Sequence, residues 1–310
     1  MQLLNHPLST AVDAGPETTE SDSKVVDMAK SCIQDDGRQL ADVHDPPVDV
    51  YVQGGLDVDA AAKTIDVDPF HIRKFFEPLR VADVCDGMDG IGYFNIGNVS
   101  QEIRPLWLGM KFWGVAFTMR CVPSNKPMWK LESTEDVVNA HGLWFDKMGN
   151  ATRGFQEKLQ PGHVVVTDVG SADNVGFWGS ENTLSVLERG GVGIITNGQC
   201  RDTGEVTLQK TPVCCKSRGR TIIPGRIESV EMQTTIGIGG AQVRPGDIVG
   251  CDDDGLVVVP IEVAKEVALH AKEVLLADMR ARRRRYDKLG MAHDDTVDTD
   301  AIDRYYAELG

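Results

Sequence analysis

The stretch from Pro161 to Asp202, PGHVVVTDVGSADNVGFWGSENTLSVLERGGVGIITNGQCRD, admits few folds. His163–Asp168 (HVVVTD) is a short β-branched run, the composition of a strand buried on both faces. Val169–Ser180 reads as a glycine-containing loop. Glu181–Arg189 reads as a short helix stopped by Gly190 and Gly191. Val192–Thr196 (VGIIT) is a second strand, followed by an Asn197-Gly198 turn. Strand, loop, helix and strand within about thirty residues make a βαβ-like unit, which predicts a parallel strand pair and an α/β fold. In such sheets ligands gather where strands end and helices begin.

The flanking sequence has a different texture. Phe70–Asp89 reads as one helix, with Val81, Val84 and Met88 at helical spacing. Pro105 interrupts, and LGMKFWGVAFTMRCV predicts one long strand or a strand pair. Residues 133–149 predict a helix in which Ser133 and Asp136 form a capping box. Beyond residue 210 short alternating runs separated by Gly, Pro and Asp predict a hairpin-rich sheet. Ile261–Leu289 predicts one long helix ending at Gly290.

Charge separates the ends from the middle. The chain has 310 residues and a formal net charge of −15. Residues 1–68 hold 14 acidic against 4 basic side chains, and residues 291–310 hold 6 against 1, so residues 69–290 are neutral. Three parts are therefore expected: an acidic N-terminal extension over 1–68, disordered in its first 24 residues; a core over 69–262; and a C-terminal helix with an acidic tail over 263–310. No excess of Lys and Arg points to nucleic acid. No apolar run approaches the roughly 20 residues of a membrane helix, and no secretory or mitochondrial leader is evident. Seven cysteines without metal-ligand spacing suit reduced thiols and a cytoplasmic location.

Several motif fragments are better read as structure. GIGG (Gly237–Gly240) is followed within a few residues by Pro245 and Gly246, so it predicts a β-turn and no nucleotide loop. Asp252–Asp254 lacks the spacing of a calcium loop and predicts a hairpin turn. Arg282–Arg285 complements the dipole at a helix C-terminus. His163 and His270 read as structural, and no Gly-rich loop supports a methyltransferase.

One constellation remains. At the end of the second strand Arg201 and Asp202 stand side by side, with Glu205 three residues on. They face the helix that opens at Ser180–Asn182. Free N–H groups at such a helix start bind anions. Arg201 adds a bidentate grip on a carboxylate, and Asp202 offers a hard oxygen for Mg²⁺ or Mn²⁺. Together these parts suit a 2-oxo acid.

The same residues resemble the RraA-like family, which includes the class II 4-hydroxy-4-methyl-2-oxoglutarate (HMG) aldolases. The family motif is Gly and an acid, a span of about twenty residues, Arg-Asp, and an acid after two more. Here it reads Gly179-Ser180, Glu181–Cys200, Arg201-Asp202 and Glu205. ADVCDGMDG, WGVAFTMRC and VRPGDIVGCDDDGLVVVP extend the likeness over residues 75–262. The resemblance implies a swivelling β/β/α domain, assembled as a homotrimer or homohexamer with sites between subunits. It implies that Arg201 binds the substrate carboxylate, that Asp202 holds Mg²⁺ or Mn²⁺, and that the N–H groups of Glu181 and Asn182 complete the anion site. The implied activity is metal-dependent C–C lysis of a 2-oxo acid: retro-aldol cleavage of HMG, or oxaloacetate decarboxylation, both releasing pyruvate. Ser180 departs from the pattern, because the aldolases carry an acid there for proton transfer. That departure leaves room for another lyase or hydrolase on the same scaffold. Other members inhibit a ribonuclease without aldolase activity, which keeps a non-catalytic regulatory protein as an alternative; those lack the metal-binding Asp that this chain retains.

Overall fold

The computed structural model describes residues 68–148, 151–172 and 174–309, so the expectations for residues 1–67 lie outside the described residues. The elements in chain order are α1 (Pro69–Ile72), α2 (Val81–Gly90), β1 (Arg104–Pro105), β2 (Phe112–Pro123), α3 (Thr134–Met148), β3 (His163–Asp168), β4 (Gly176–Trp178), α4 (Ser180–Glu188), β5 (Gly193–Cys200), α5 (Thr203–Leu208), β6 (Val213–Arg218), β7 (Ile227–Met232), β8 (Ile236–Ile238), β9 (Ala241–Val243), β10 (Ile248–Asp252), β11 (Gly255–Val259), α6 (Ala264–Leu289) and α7 (Thr299–Leu309).

The main sheet runs β1-β6-β5-β3-β2-β10-β11, with β4 added to β5 and β7 to β2. β2, β3, β5 and β6 are parallel in succession, as the βαβ reading requires. One edge of β2 pairs with β3. Its other edge takes β10 along Phe112–Val115 and β7 along Met119–Pro123, the latter pairing with an irregularity at Arg120/Cys121. The sheet curls strongly, as twisted sheets of this size do. Cys214 on β6 and Cys251 on β10 have three strands between them, yet their Sγ atoms lie 3.0 Å apart. All six cysteines of the described residues are free thiols.

Two apolar bodies flank β2. One holds Phe117, Val164–Val166, Trp178, Ile194 and Ile195 with Trp144 of α3. The other packs α2, α6 and α7 onto Trp113, Val115, Ile248, Val257 and Val259. α2 and α6 approach closely at Gly87, where a Cβ would stand 2.8 Å from the Val267 carbonyl oxygen.

The predicted helix over Phe70–Asp89 is two pieces. α1 runs into a short 3₁₀ turn, Arg73–Phe76, and α2 begins only at Val81. Pro78 separates them, since a proline ring clashes with a helical carbonyl four residues back. β5 is longer than Val192–Thr196 predicts, and Asn197-Gly198 lies inside it rather than in a turn. The Asn197 side chain accepts from the Val169 N–H at 2.8 Å and donates to Asp168 Oδ1 at 2.7 Å. Gly198 sits against Val169, 2.8 Å from where a Cβ would fall. β4 and β6 then pair with Gln199 and Cys200 from either side. The stretch 169–180, expected as loop, contains β4. The acidic C-terminus contains α7, whose Tyr306 hydroxyl donates to the Phe75 carbonyl.

Other expectations hold. Ser133 and Asp136 cap α3 reciprocally, at 3.1 and 2.9 Å. β8–β9 turns at Gly239-Gly240, and β10–β11 turns between Asp252 and Gly255. Gly290 ends α6 in the left-handed conformation, φ 64°. His163 is structural. It is 7% exposed, edge-on to Phe70 and Phe117, and its Nδ1 accepts the Gln160 N–H at 2.8 Å.

Burial pushes the His163 imidazole down to about 4. The unfolded chain binds that proton near pH 6.5, so the stabilisation is complete above that pH and lost as pH falls towards 4. Wild type should lose about 2 kcal/mol more than His163→Gln between pH 7 and pH 4.5. Urea unfolding at the two pH values measures this, and equal losses would show that the imidazole is not held neutral.

Candidate active site

The site forms where β5 leaves the sheet and α4 begins. The Arg201 N–H donates to the Trp178 carbonyl at 2.8 Å, fixing the end of β5 beside β4. Asp202 then takes a left-handed conformation, φ 52° and ψ 35°. Asp tolerates this region better than most residues with a Cβ. It occupies the N-cap position of α5 without capping it. The left-handed kink accompanies a carboxylate turned across to α4, where Oδ2 accepts the Ser180 N–H at 3.2 Å and lies 3.5 Å from the Ser180 hydroxyl. Arg201 Nε stands 3.6 Å from the same oxygen, with both side chains about one-third exposed. Among the described residues Asp202 Oδ1 has no partner.

Gly179 makes this approach possible. Its backbone is extended, φ −141° and ψ 177°, a conformation open to any residue. Its need for a bare Cα is steric: a Cβ would lie 2.7 Å from Asp202 Oδ2 and 3.2 Å from Arg201 Nε. Gly176 borders the Arg201 stem in the same way, at 3.3 Å from its Cβ.

The structure thus brings Gly179, Ser180, Arg201 and Asp202 together. Glu181 and Asn182 follow in the exposed first turn of α4, where helix geometry leaves N–H groups without intrahelical partners. The Ser180 N–H is engaged by Asp202, so the amides of Glu181 and Asn182 remain for an anion, favoured by the positive helix end. Glu205 lies in the exposed first turn of α5 and bonds to neither Arg201 nor Asp202.

Sequence reasoning missed His141 on α3. It is half-buried, and burial together with the Arg201 charge holds its imidazole below the ordinary value. That places a neutral imidazole within electrostatic reach of Arg201. A lone His in a helix gives no sequence signal for such a position.

The arrangement defines an α/β protein with an open helix start, an arginine and a half-free carboxylate at one strand end. Residues 81–258 match the model of the RraA-like family, described as Aldolase/RraA, and the chain belongs to that family. It is 30% identical over 210 residues to a Halalkalibacterium halodurans protein provisionally named 4-hydroxy-4-methyl-2-oxoglutarate aldolase, covering 67% of this chain and 85% of that protein. It is 25% identical over 201 residues to Legionella pneumophila protein DlpA, covering 65% of this chain but only 29% of DlpA. Among solved structures, Streptomyces coelicolor RraAS2, described as an unusual member of the RNase ES inhibitor RraA protein family, superposes with a TM-score of 0.56 at 24% identity, over 68% of this chain and 95% of that one. This likeness bears out the α/β RraA-like fold. No described helix is long and apolar enough to cross a membrane.

Proposed function

We propose that this protein is a divalent-metal-dependent carbon–carbon lyase acting on a 2-oxo acid. The observation that carries the reading is the Asp202 carboxylate, anchored through Oδ2 at the α4 N-terminus beside Arg201 with Oδ1 left free. Among the described residues no group of three or more His, Cys, Asp or Glu converges on one point. A single free carboxylate oxygen fits Mg²⁺ or Mn²⁺, which keep several waters and take one or two carboxylates plus a ligand. It does not fit a four-ligand zinc site. A divalent ion held by Asp202 would polarise the keto oxygen of a 2-oxo acid.

The chain's own groups then orient the substrate. Arg201 and the amides of Glu181 and Asn182 take its carboxylate, and His141 supplies a neutral neighbour. The bond beyond the keto carbon's neighbour breaks, its electron pair becomes a double bond to the keto carbon, the carbonyl pair moves onto the keto oxygen, and a proton from water then returns to the freed carbon to give pyruvate. Ser180 discriminates between the two reactions that share this step. Retro-aldol cleavage must first remove a hydroxyl proton, and Ser180 is no base at neutral pH. Decarboxylation of an oxaloacetate-like substrate needs no such proton removal, because the departing group is CO₂. The site therefore favours decarboxylation over HMG cleavage. The family resemblance supports a homotrimer or homohexamer as the working assembly.

The test is pyruvate release from oxaloacetate and from HMG, with Mg²⁺ and with chelator. Oxaloacetate should be the faster substrate, and Arg201→Ala should raise its KM at least about tenfold. Pyruvate release indifferent to both metal and Arg201→Ala would defeat the lyase reading and leave a binding role.

A further inference from the structure

A second polar groove lies at the carboxyl ends of β2 and β3, where open α/β sheets place ligands. Its volume is about 440 Å³, and its walls include Arg120, Asp168, Thr235 and Gln242, with Gly237 and Gly240. No neighbour lies within 4 Å of where a Cβ would fall on either glycine, so that wall is open. None of Gly179, Ser180, Arg201 and Asp202 lines the groove. The groove is therefore separate from the Arg201–Asp202 site.

Its charges are arranged unusually. Arg120 and Asp168 are register partners on parallel strands, so their side chains share a face. Opposite charges so placed ordinarily pair. Here they do not: among the described residues there is no ion pair between them. Arg120 turns to Glu231 at 3.0 Å. Asp168 is held through Oδ1 alone, by the Gly170 N–H at 2.8 Å and Asn197 Nδ2 at 2.7 Å. Its Oδ2 has no partner among the described residues. A fixed carboxylate and an arginine thus line one cavity without neutralising each other.

We propose that this groove binds a free α-amino acid, with Asp168 Oδ2 taking the ammonium and Arg120 the carboxylate. A zwitterion matches both charges. A simple carboxylic acid leaves Asp168 unpaired, and a simple amine leaves Arg120 without its ligand contact. The Arg120–Glu231 pair is nearly half exposed on both sides. Such pairs contribute little, so a ligand carboxylate can share or displace Glu231. Thr235 and Gln242 stand ready for a polar ligand side chain.

Isothermal titration of the full chain with L-serine, L-glutamine, L-leucine and L-2-aminobutyrate tests this, with butyrate and propylamine as controls lacking one charge each. At least one amino acid should bind at about millimolar affinity, and each control should bind at least about tenfold more weakly than L-2-aminobutyrate. Asp168→Asn keeps an oxygen for Gly170 and Asn197, and Arg120→Gln changes a surface side chain. Each should weaken binding at least about tenfold. Asp202→Asn should leave it unchanged, which separates this groove from the lyase site. Absence of amino-acid binding at about 10 mM overturns the proposal. So does binding that survives both groove variants, or butyrate binding as tight as L-2-aminobutyrate.

Discussion

Replacing Asp202 with Asn should lower Mg²⁺-dependent pyruvate release from oxaloacetate at least about a hundredfold, with little change in melting temperature. Asn is the informative substitution because Asp202 sits at φ 52°. Asn accepts that region, whereas Ala would add backbone strain to the loss of charge. An Asn oxygen can still accept the Ser180 N–H now held at 3.2 Å, so the turn into α5 should survive. What disappears is the anionic oxygen that would hold the metal. The ion pair with Arg201 is partly exposed and contributes little to stability. Steady-state rates across a Mg²⁺ titration, beside thermal melts, read both expectations. An unchanged rate would remove Asp202 from the chemistry, whatever metal the wild type needs.

Much of the site was legible because its parts are local. The apolar run His163–Asp168, the glycines that stop α4, and the adjacent Arg201 and Asp202 each carry meaning within a few residues. The boundaries of β3 follow from composition alone. The extent of β5 did not, because Asn197-Gly198 is strong turn chemistry that tertiary context overrides. Asn197 bonds across to Asp168 and Val169, and β4 and β6 supply strand partners that no local window reveals. α7 was hidden for a related reason. Six acids among twenty residues suggest a solvated tail, but Tyr305 and Tyr306 anchor it on residues 74–77, more than two hundred positions away. His141 near Arg201, and the placing of Arg120 and Asp168 on one face without an ion pair between them, are likewise products of topology. The missing acid at position 180 was plain in the sequence. Its consequence needed the geometry, which sets Ser180 against the Asp202 carboxylate and gives a second acid there a like-charged neighbour.

Gly179→Ala should reduce the same activity at least about tenfold while leaving the melting temperature within about 2 °C of wild type. Two considerations separate its effect on chemistry from its effect on folding. The backbone at Gly179 is extended, so alanine brings no conformational strain. The atoms its methyl would strike are Asp202 Oδ2 at 2.7 Å and Arg201 Nε at 3.2 Å, both near the free ends of partly exposed side chains. These can swing aside without disturbing the core, so the fold tolerates the change. They cannot swing aside and keep their positions. Moving Oδ2 away from the Ser180 N–H loosens the carboxylate, and moving the guanidinium displaces the carboxylate grip from the start of α4. Displacements of about 1 Å cost large factors in rate when catalysis depends on orientation. KM for oxaloacetate and the apparent Mg²⁺ affinity should therefore worsen together, because one methyl group displaces both side chains. A Gly179→Ala protein with wild-type rates would mean that Arg201 and Asp202 need not stand side by side, and that neither the metal nor the carboxylate is held where this geometry puts it.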